Sequence, residues 1–429
     1  MISSVTYEYY EISFILIMAA FSIPISRKAS MVYIPILIVF GLIFGPVLGI
    51  INHSFAIYML SSFGTIGLGL LGLVIILYYE SHNINPRILR RYLYKIVSLD
   101  TIGMVVTAIG AGLFFSYLTG APFIIGFIFG AIISPTDPAS LIPTFKKLNI
   151  REDVSGTLIG ESLFNDPLSI ILLTIGIAIL APNADYSSFF TLLSSHVGMV
   201  IGSISFLLLE IIIPAAVGIS FGFLIIYLNK YFNFENLLIA LTLGTILFEF
   251  TSLQATGITP FPAIIATGAI VGNYSDKSIF WNRETSFNEN LSFMAQAIIF
   301  IFLGSILTRA QLLQYVLFGF IISLIVIFII RPASVFISLG VLDFGKNLIK
   351  FDRKTKTFIS LVGPRGVVPV VLSTVPFVVG SAYNVPILLK FGTIIYASVS
   401  FVVLISIILQ TVYVPYLGKY LFGEINKEI

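Results

Sequence analysis

A cluster of polar residues stands inside an apolar stretch of this sequence. Four residues of Gly160-Glu161-Ser162-Leu163-Phe164-Asn165-Asp166-Pro167 share one face of a helix of 3.6 residues per turn: Glu161, Ser162, Asn165 and Asp166. A buried carboxylate such as Asp166 suits the binding of a proton or a small cation in a water-filled cavity. The alternative is a purely structural polar network. Two acids and an amide on one face make that interpretation the weaker one.

A second cluster, Ser134-Pro135-Thr136-Asp137-Pro138, predicts a break in the helix that contains it. Proline lacks the backbone N–H and disfavours helix at the preceding residue. A broken helix exposes carbonyls and half-helix ends that can ligate a cation. The alternative is a kink in which Asp137 caps the next half-helix.

A third cluster, Gly363-Pro364-Arg365-Gly366, predicts another broken helix, and Arg331-Pro332 precedes it. The two arginines can neutralise buried acids or complement helix C-termini. We therefore expect structural ion pairs that shape the site without contacting the substrate.

The other acids give weaker signals. Glu80 ends an apolar span, and its position alone favours a solvated helix end over a ligand. Glu210 and Glu249 belong to no motif and have no assigned role. Asp100 and Asp343 lie near predicted helix ends and are expected to be interfacial.

The composition indicates that these clusters lie in a membrane protein. The 429-residue chain is 58% hydrophobic and only 10% charged, whereas soluble domains carry about 25% charged residues. The chain has no cysteine, and its three histidines lie far apart, so no thiolate or histidine metal site is expected. The net charge of +3 does not suggest nucleic acid. The N-terminus lacks the features of a signal peptide, and we expect the first helix to be retained.

Long apolar runs without strict alternation predict helices rather than a barrel. About thirteen spans are expected: 11–26, 31–50, 55–80, 96–118, 121–145, 154–181, 187–229, 235–251, 259–273, 287–308, 311–341, 357–380 and 386–418.

The basic residues test this topology, because cytoplasmic loops are enriched in Lys and Arg. If the N-terminus is outside and the C-terminus is in the cytoplasm, most of the 23 basic residues fall in the inside connections. Arg309 is the exception, because it falls in an outside connection. The inside residues are Arg27, Lys28, Arg87, Arg90, Arg91, Lys95, Lys146, Lys147, Arg151, Lys230, Lys277, Arg283, Lys346, Lys350, Arg353, Lys354, Lys356, Lys419 and Lys427.

The stretch 187–229 is long for one crossing, but splitting it at Pro214 would reverse the charge pattern of the second half. One long tilted helix therefore joins two sets of six helices with opposite orientation. This arrangement is typical of the inverted repeats of secondary transporters.

Taken together, the motifs at 134–138, 160–167 and 363–366 resemble those of the monovalent cation/proton antiporters, specifically prokaryotic NhaP-type Na⁺/H⁺ antiporters related to the eukaryotic exchangers. The resemblance implies an NhaA-like fold with two crossed broken helices, and a homodimer. It also implies a dimerisation domain at 1–95 and 231–308, a core ion-transport domain at 96–186 and 309–429, and a linker helix at 187–230.

The resemblance implies roles for individual residues as well. Asp166 would bind the ion and the proton, with Ser162 and the Thr136 carbonyl as ligands and Asp137 close by. Glu80 resembles a further acid of the cation site, although Tyr79-Glu80-Ser81 departs from the usual Phe-Glu-Gly pattern. Asn165 would support the broken helices. Glu161 would pair with Arg331, with Arg365 as the alternative.

The expected function is exchange of Na⁺ or Li⁺ for H⁺ across the membrane of a prokaryotic cell, with no cofactor. Family members with two adjacent aspartates in this helix are electrogenic, and the Asn165-Asp166 pair therefore suggests electroneutral 1:1 exchange. The alternatives are a K⁺/H⁺ antiporter, and a channel-like K⁺ efflux protein, for which no filter motif is found. A membrane-embedded enzyme lacks a metal or nucleophile constellation, and ATP-driven transport lacks a P-loop.

Overall fold

The computed structural model describes residues 4–29, 32–60, 68–82, 84, 86–141, 145, 148, 150–184, 188–276, 278–343 and 350–423. Within these ranges every regular element is a helix, which confirms the all-α class. Five basic residues of the predicted inside connections lie outside the described residues: Lys146, Lys147, Lys277, Lys346 and Lys427.

The first half of the chain contains α1 (Ser4–Ala29), α2 (Tyr33–Val47), α3 (His53–Leu60), α4 (Leu68–His82), α5 (Pro86–Thr119), α6 (Phe123–Ile133), α7 (Glu152–Leu180) and α8 (Ser188–Val197). The second half contains α9 (Met199–Phe232), α10 (Leu238–Ala255), α11 (Phe261–Tyr274), α12 (Ile279–Ser305), α13 (Arg309–Leu342), α14 (Arg353–Leu361), α15 (Val367–Leu372), α16 (Val375–Ala382) and α17 (Pro386–Phe422). Short π-helical turns lie within α2, α5 and α13.

Eight helices of the described chain are long and apolar enough to cross a membrane, and five shorter apolar helices occupy the other predicted spans. Two predictions about this pattern were wrong. The stretch 187–229 is not one helix, because Gly198 adopts a φ of +82° and separates α8 from α9; Pro214, in contrast, lies within the continuous α9. The basic residues 87–95 lie on α5 and not in a loop, because α5 begins at Pro86, which suits the first helical turn.

Close backbone contacts hold the helices together. A methyl group on Gly41 of α2 would lie 2.0 Å from the carbonyl oxygen of Ile301 in α12. A methyl group on Gly130 of α6 would lie 2.0 Å from the carbonyl oxygen of Ala108 in α5. Helices pack in membranes chiefly through such small residues. One group of packed helices contains α2, α4, α11 and α12, and another contains α5, α6 and α7.

Candidate functional site

The two predicted helix breaks are present, and they contact each other. Helix α6 ends at Ile133, and a short 3₁₀ turn begins at Pro138. Residues 362–366 likewise interrupt the helical chain between α14 and α15. The backbone N–H of Asp137 in the first break donates to the carbonyl of Pro364 in the second, at 2.8 Å. The proline positions thus explain both the breaks and the backbone groups that are available to pair there.

Helix α7 braces the first break through Asn165. Its side-chain amide donates to the backbone carbonyl of Thr136 at 3.2 Å and to the Thr136 hydroxyl at 3.1 Å. One turn later, the Ser169 hydroxyl donates to the carbonyl of Ala131 at 2.8 Å. A carbonyl oxygen has two lone pairs, so the Thr136 carbonyl retains acceptor capacity for a cation.

Arg365 binds the end of α6 and not an acid. The residue is 1% exposed, and its guanidinium donates to the carbonyls of Ser134 and Pro135 at 3.0 and 3.1 Å. These carbonyls have lost their helical donors, and a cation complements the negative end of a helix. The second break is itself tied to α17, because the Ser406 hydroxyl and the Gln410 amide oxygen accept the N–H groups of Arg365 and Gly363.

Arg331 forms the buried ion pair with Glu161. Its two terminal nitrogens contact the two carboxylate oxygens at 2.5 and 2.8 Å, and both side chains are at most 5% exposed. This bidentate geometry is the strong form of an Arg–carboxylate pair. The pair joins α7 to α13 on the polar face that also carries Asp166.

The expectation that Asp100 is interfacial was wrong. Asp100 is 3% exposed, lies in the π-helical turn of α5, and interacts electrostatically with Glu161 and Arg331. Neither of its carboxylate oxygens forms a hydrogen bond within the described part of the protein. The basic residues before Asp100 predict a loop and hence a nearby helix end, whereas α5 continues through them.

Glu80 reaches the site from the other group of helices. Its carboxylate interacts electrostatically with Asp137 and Asp166. The Gln296 amide of α12 donates to the Glu80 carboxylate at 3.4 Å, and the Tyr33 hydroxyl of α2 donates to the Gln296 amide oxygen at 3.0 Å. Neither Gln296 nor Tyr33 is predicted as a site residue from the sequence. The only signal was an isolated amide in the apolar run Ala295-Gln296-Ala297-Ile298.

Asp166, at the centre of this arrangement, forms no ion pair with a basic side chain among the described residues. It is 8% exposed, and both nearby arginines are engaged elsewhere. Ser162 is partly exposed one turn before it. Among the described residues, no group of three His, Cys or acidic side chains is assembled to hold a metal ion. Acids that converge in this way suit the binding of a cation.

Glu210 and Glu249 lie away from this site. Glu210 accepts the N–H of Thr259 at 2.6 Å, and Glu249 contacts the Thr267 hydroxyl. Both are fully buried and link α9, α10 and α11.

Comparisons with known proteins agree with this geometry. The family described as "Sodium/hydrogen exchanger, transmembrane" matches residues 15–419. A protein named Na(+)/H(+) antiporter 1, from Methanocaldococcus jannaschii, is 30% identical over 95% of this chain and 94% of its own length. A protein named K(+)/H(+) antiporter NhaP, from Alkalimonas amylolytica, is 30% identical over 84% of this chain and 58% of its own length.

The fold comparison gives the same result. The solved structure of the sodium proton antiporter MjNhaP1 from Methanocaldococcus jannaschii at pH 8 superimposes with a TM-score of 0.83. It is 26% identical in sequence, and the match covers 98% of this chain and all of that one. The motifs, the paired helix breaks, the sequence match and the shared fold show that this chain belongs to the sodium/hydrogen exchanger family.

Proposed function

We propose that this protein exchanges Na⁺ or Li⁺ for H⁺ across a prokaryotic cell membrane. The observation that carries the proposal is the state of Asp166. It is a buried carboxylate that interacts electrostatically with two other acids and has no arginine partner in the described part of the chain. Relatives named as Na⁺/H⁺ antiporters support the choice of substrates. No chemical reaction and no cofactor are needed for this transport.

The proposed mechanism is competition for Asp166. One proton or one dehydrated Na⁺ neutralises the carboxylate, and the neutral site then crosses the low-dielectric barrier more readily than the charged one. Asp166, Ser162, the Thr136 carbonyl and Glu80 would ligate Na⁺, with Asp137 close by. Asn165, Glu161, Arg331 and Arg365 would keep the broken helices in place.

The proposed architecture has thirteen crossings built from inverted six-helix repeats, with the N-terminus outside and the C-terminus in the cytoplasm. The eight long and five short apolar helices support this number. The core domain would comprise 96–186 and 309–429, the dimerisation domain of a homodimer 1–95 and 231–308, and 187–230 would link them. Glu80 lies on one group of helices and Asp166 on the other, and this supports a site between two domains that move against each other.

The test is flux through purified protein in proteoliposomes. An imposed inward Na⁺ gradient should drive protons out of the vesicles, and an imposed pH gradient should drive Na⁺ uptake. Asp166→Asn keeps the size of the side chain but cannot titrate, and it should abolish both fluxes in protein that is still folded and inserted. Full coupled flux through Asp166→Asn would refute the mechanism.

The same assay addresses the K⁺ alternative, which relatives named as K⁺/H⁺ antiporters keep open. Na⁺, Li⁺ and K⁺ are compared at equal gradients in protein of one preparation. Coupled flux with K⁺ alone would replace the proposed substrate, and uncoupled K⁺ flux would indicate a channel.

A further inference from the structure

A line of polar side chains runs along α12 toward the cation site. Its members are spaced four residues apart, so they follow one ridge of the helix: Glu284, Asn288, Ser292 and Gln296. We call these four residues the α12 file. The first three are at most 1% exposed, and the fourth donates to the Glu80 carboxylate at 3.4 Å. From the first member to the last, the helix rises by about 18 Å.

One end of the α12 file is fixed by α4. The Tyr78 hydroxyl of α4 donates to one oxygen of the Glu284 carboxylate at 3.0 Å, and the Asn288 amide donates to the same oxygen at 2.7 Å. The other carboxylate oxygen lies 3.6 Å from Nε2 of His82, the last residue of α4. Glu284 lies near the start of α12, at the end that the proposed topology places toward the cytoplasm. The file therefore leads from the cytoplasmic end of α12 to the cation site.

Three polar atoms of the α12 file have no hydrogen-bond partner among the described residues. They are the second carboxylate oxygen of Glu284, the side-chain oxygen of Asn288 and the hydroxyl of Ser292. A serine in a helix can donate to the carbonyl one turn before it, as Ser305 of α12 does. The Ser292 hydroxyl makes no such bond, and buried polar groups in native proteins are paired with protein or with ordered water.

A purely structural network is the alternative, and it explains only part of this arrangement. The bonds of Glu284 with Tyr78 and Asn288 join α4 to α12 without any water. They do not explain why an unpaired hydroxyl follows one turn further along the same ridge, between Asn288 and the Gln296 contact with the site. A buried water makes about three hydrogen bonds to groups of this kind. Waters that bridge successive members of the file would pair all three atoms.

We propose that the α12 file holds a chain of water molecules that carries protons between the cation site and the cytoplasm. The inference rests on the proposed function, because it supplies a route for the proton that exchanges at Asp166. In each transfer a water accepts one proton and donates another to the next water, so the side chains of the file keep their protonation states. A dehydrated Na⁺ needs a ring of ligands, which one row of side chains does not offer, so the route serves protons alone.

The test compares two fluxes in proteoliposomes that share the cation site but differ in their need for protons. Na⁺/H⁺ exchange is measured as uptake of labelled Na⁺ driven by a pH gradient. Na⁺/Na⁺ exchange is measured as uptake of labelled Na⁺ against unlabelled Na⁺ at equal pH on both sides. Both are measured at alkaline pH, where protons are scarce and their arrival limits coupled exchange.

Ser292→Val and Ser292→Thr introduce side chains of the same shape that differ in the hydroxyl. Ser292→Val should show about tenfold less Na⁺/H⁺ exchange than Ser292→Thr, because one buried hydrogen-bonding group is lost. Na⁺/Na⁺ exchange should be the same in both. Asn288→Leu should act in the same way as Ser292→Val, with Asn290→Leu on the exposed face of α12 as its control. If neither larger side chain is tolerated at 292, Ser292→Ala and the wild type give the same comparison.

Equal Na⁺/H⁺ exchange in Ser292→Val and Ser292→Thr would overturn the proposal. A parallel loss of both fluxes in Ser292→Val would also overturn it, because that result indicates a structural role. Failure of the proposed function is distinguishable from these results, since the wild type itself would then show no coupled flux, and the inference would fall with it.

Discussion

Gly366 lies so close to Asp137 that a methyl group on its α-carbon would stand 2.5 Å from the Asp137 carboxylate oxygen. The second helix break therefore admits the acidic side chain of the first only because residue 366 has no side chain. The two breaks form one unit, which the backbone bond from Asp137 to Pro364 also joins.

Gly366→Ala should impair transport by displacing Asp137. Overpacking of this kind costs about 1–3 kcal/mol, and we expect a loss of at least about tenfold in coupled flux. Flux and melting temperature are measured together. Gly340→Ala is the control, because a methyl group there would meet no atom within 4 Å. Equal flux in Gly366→Ala and Gly340→Ala would contradict the close fit between the breaks.

Glu161→Ala should destabilise the protein more than Asp166→Asn does. Removal of one partner strands the buried Arg331 charge, at a cost of about 3–5 kcal/mol. The measurement is the melting temperature in detergent, with an Arg331→Met double mutant to test for non-additivity. The control is Asp153→Asn, which breaks a pair whose arginine side chain is 54% exposed and should cost at most about 1 kcal/mol. Additive effects of Glu161→Ala and Arg331→Met would show that the pair carries no coupling energy.

Gln296→Leu should weaken Na⁺ binding with little effect on maximal rate. The amide positions the Glu80 carboxylate. Hydrogen bonds to charged groups vary in strength, and loss of one of the weaker ones should raise the apparent KM for Na⁺ by about tenfold. The measurement is the kinetics of Na⁺-driven proton flux. The control is Gln314→Leu, because Gln314 lies on the exposed face of α13. In the Glu80→Gln background, Gln296→Leu should have no further effect on KM. Independent effects would remove Gln296 from the site.

Competition at one carboxylate predicts how acidity alters Na⁺ transport. Lower pH favours protonated Asp166, so the apparent KM for Na⁺ should rise by up to about tenfold per pH unit while the maximal rate at saturating Na⁺ is unchanged. Initial rates over a Na⁺ series at several pH values test this. A constant KM with a falling maximal rate would indicate separate sites for the two ions.

Electroneutral exchange predicts no response to membrane potential. Asn165 occupies the position beside Asp166 and cannot titrate, and we therefore expect one Na⁺ to move against one H⁺. Each uncompensated charge would contribute about 2.3 kcal/mol per 100 mV. The membrane potential of the proteoliposomes is clamped with valinomycin and K⁺. The measurement is the gradient of the exchanged ions at which net flux stops. A shift of that gradient with voltage would show that a second proton crosses, with Glu80 or Asp137 as the carriers to test.

Local chemistry alone determined much of this protein. Apolar runs of about 20 residues indicated a membrane protein. They indicated helices because the backbone groups of a spanning segment must be paired within it. Pro135, Pro138 and Pro364 indicated where two helices break, since a missing N–H acts at its own position. Proline alone did not decide this, because α9 continues through Pro214. The spacing of Glu161, Ser162 and Asp166 put them on one helical face, since 3.6 residues make one turn wherever the helix lies.

Only the tertiary structure decided which distant groups meet. Arg331 and Arg365 carry the same charge, so sequence spacing cannot show which of them pairs with Glu161. In the structure Arg331 pairs with Glu161, 170 positions away in the chain, and Arg365 caps α6. Nor could it show that Asp100 is buried, or that Gln296 joins Tyr33 to Glu80, since a lone polar residue in an apolar run has no local partner. These contacts depend on the packing of helices far apart in the chain, and packing is set by the shapes of whole surfaces.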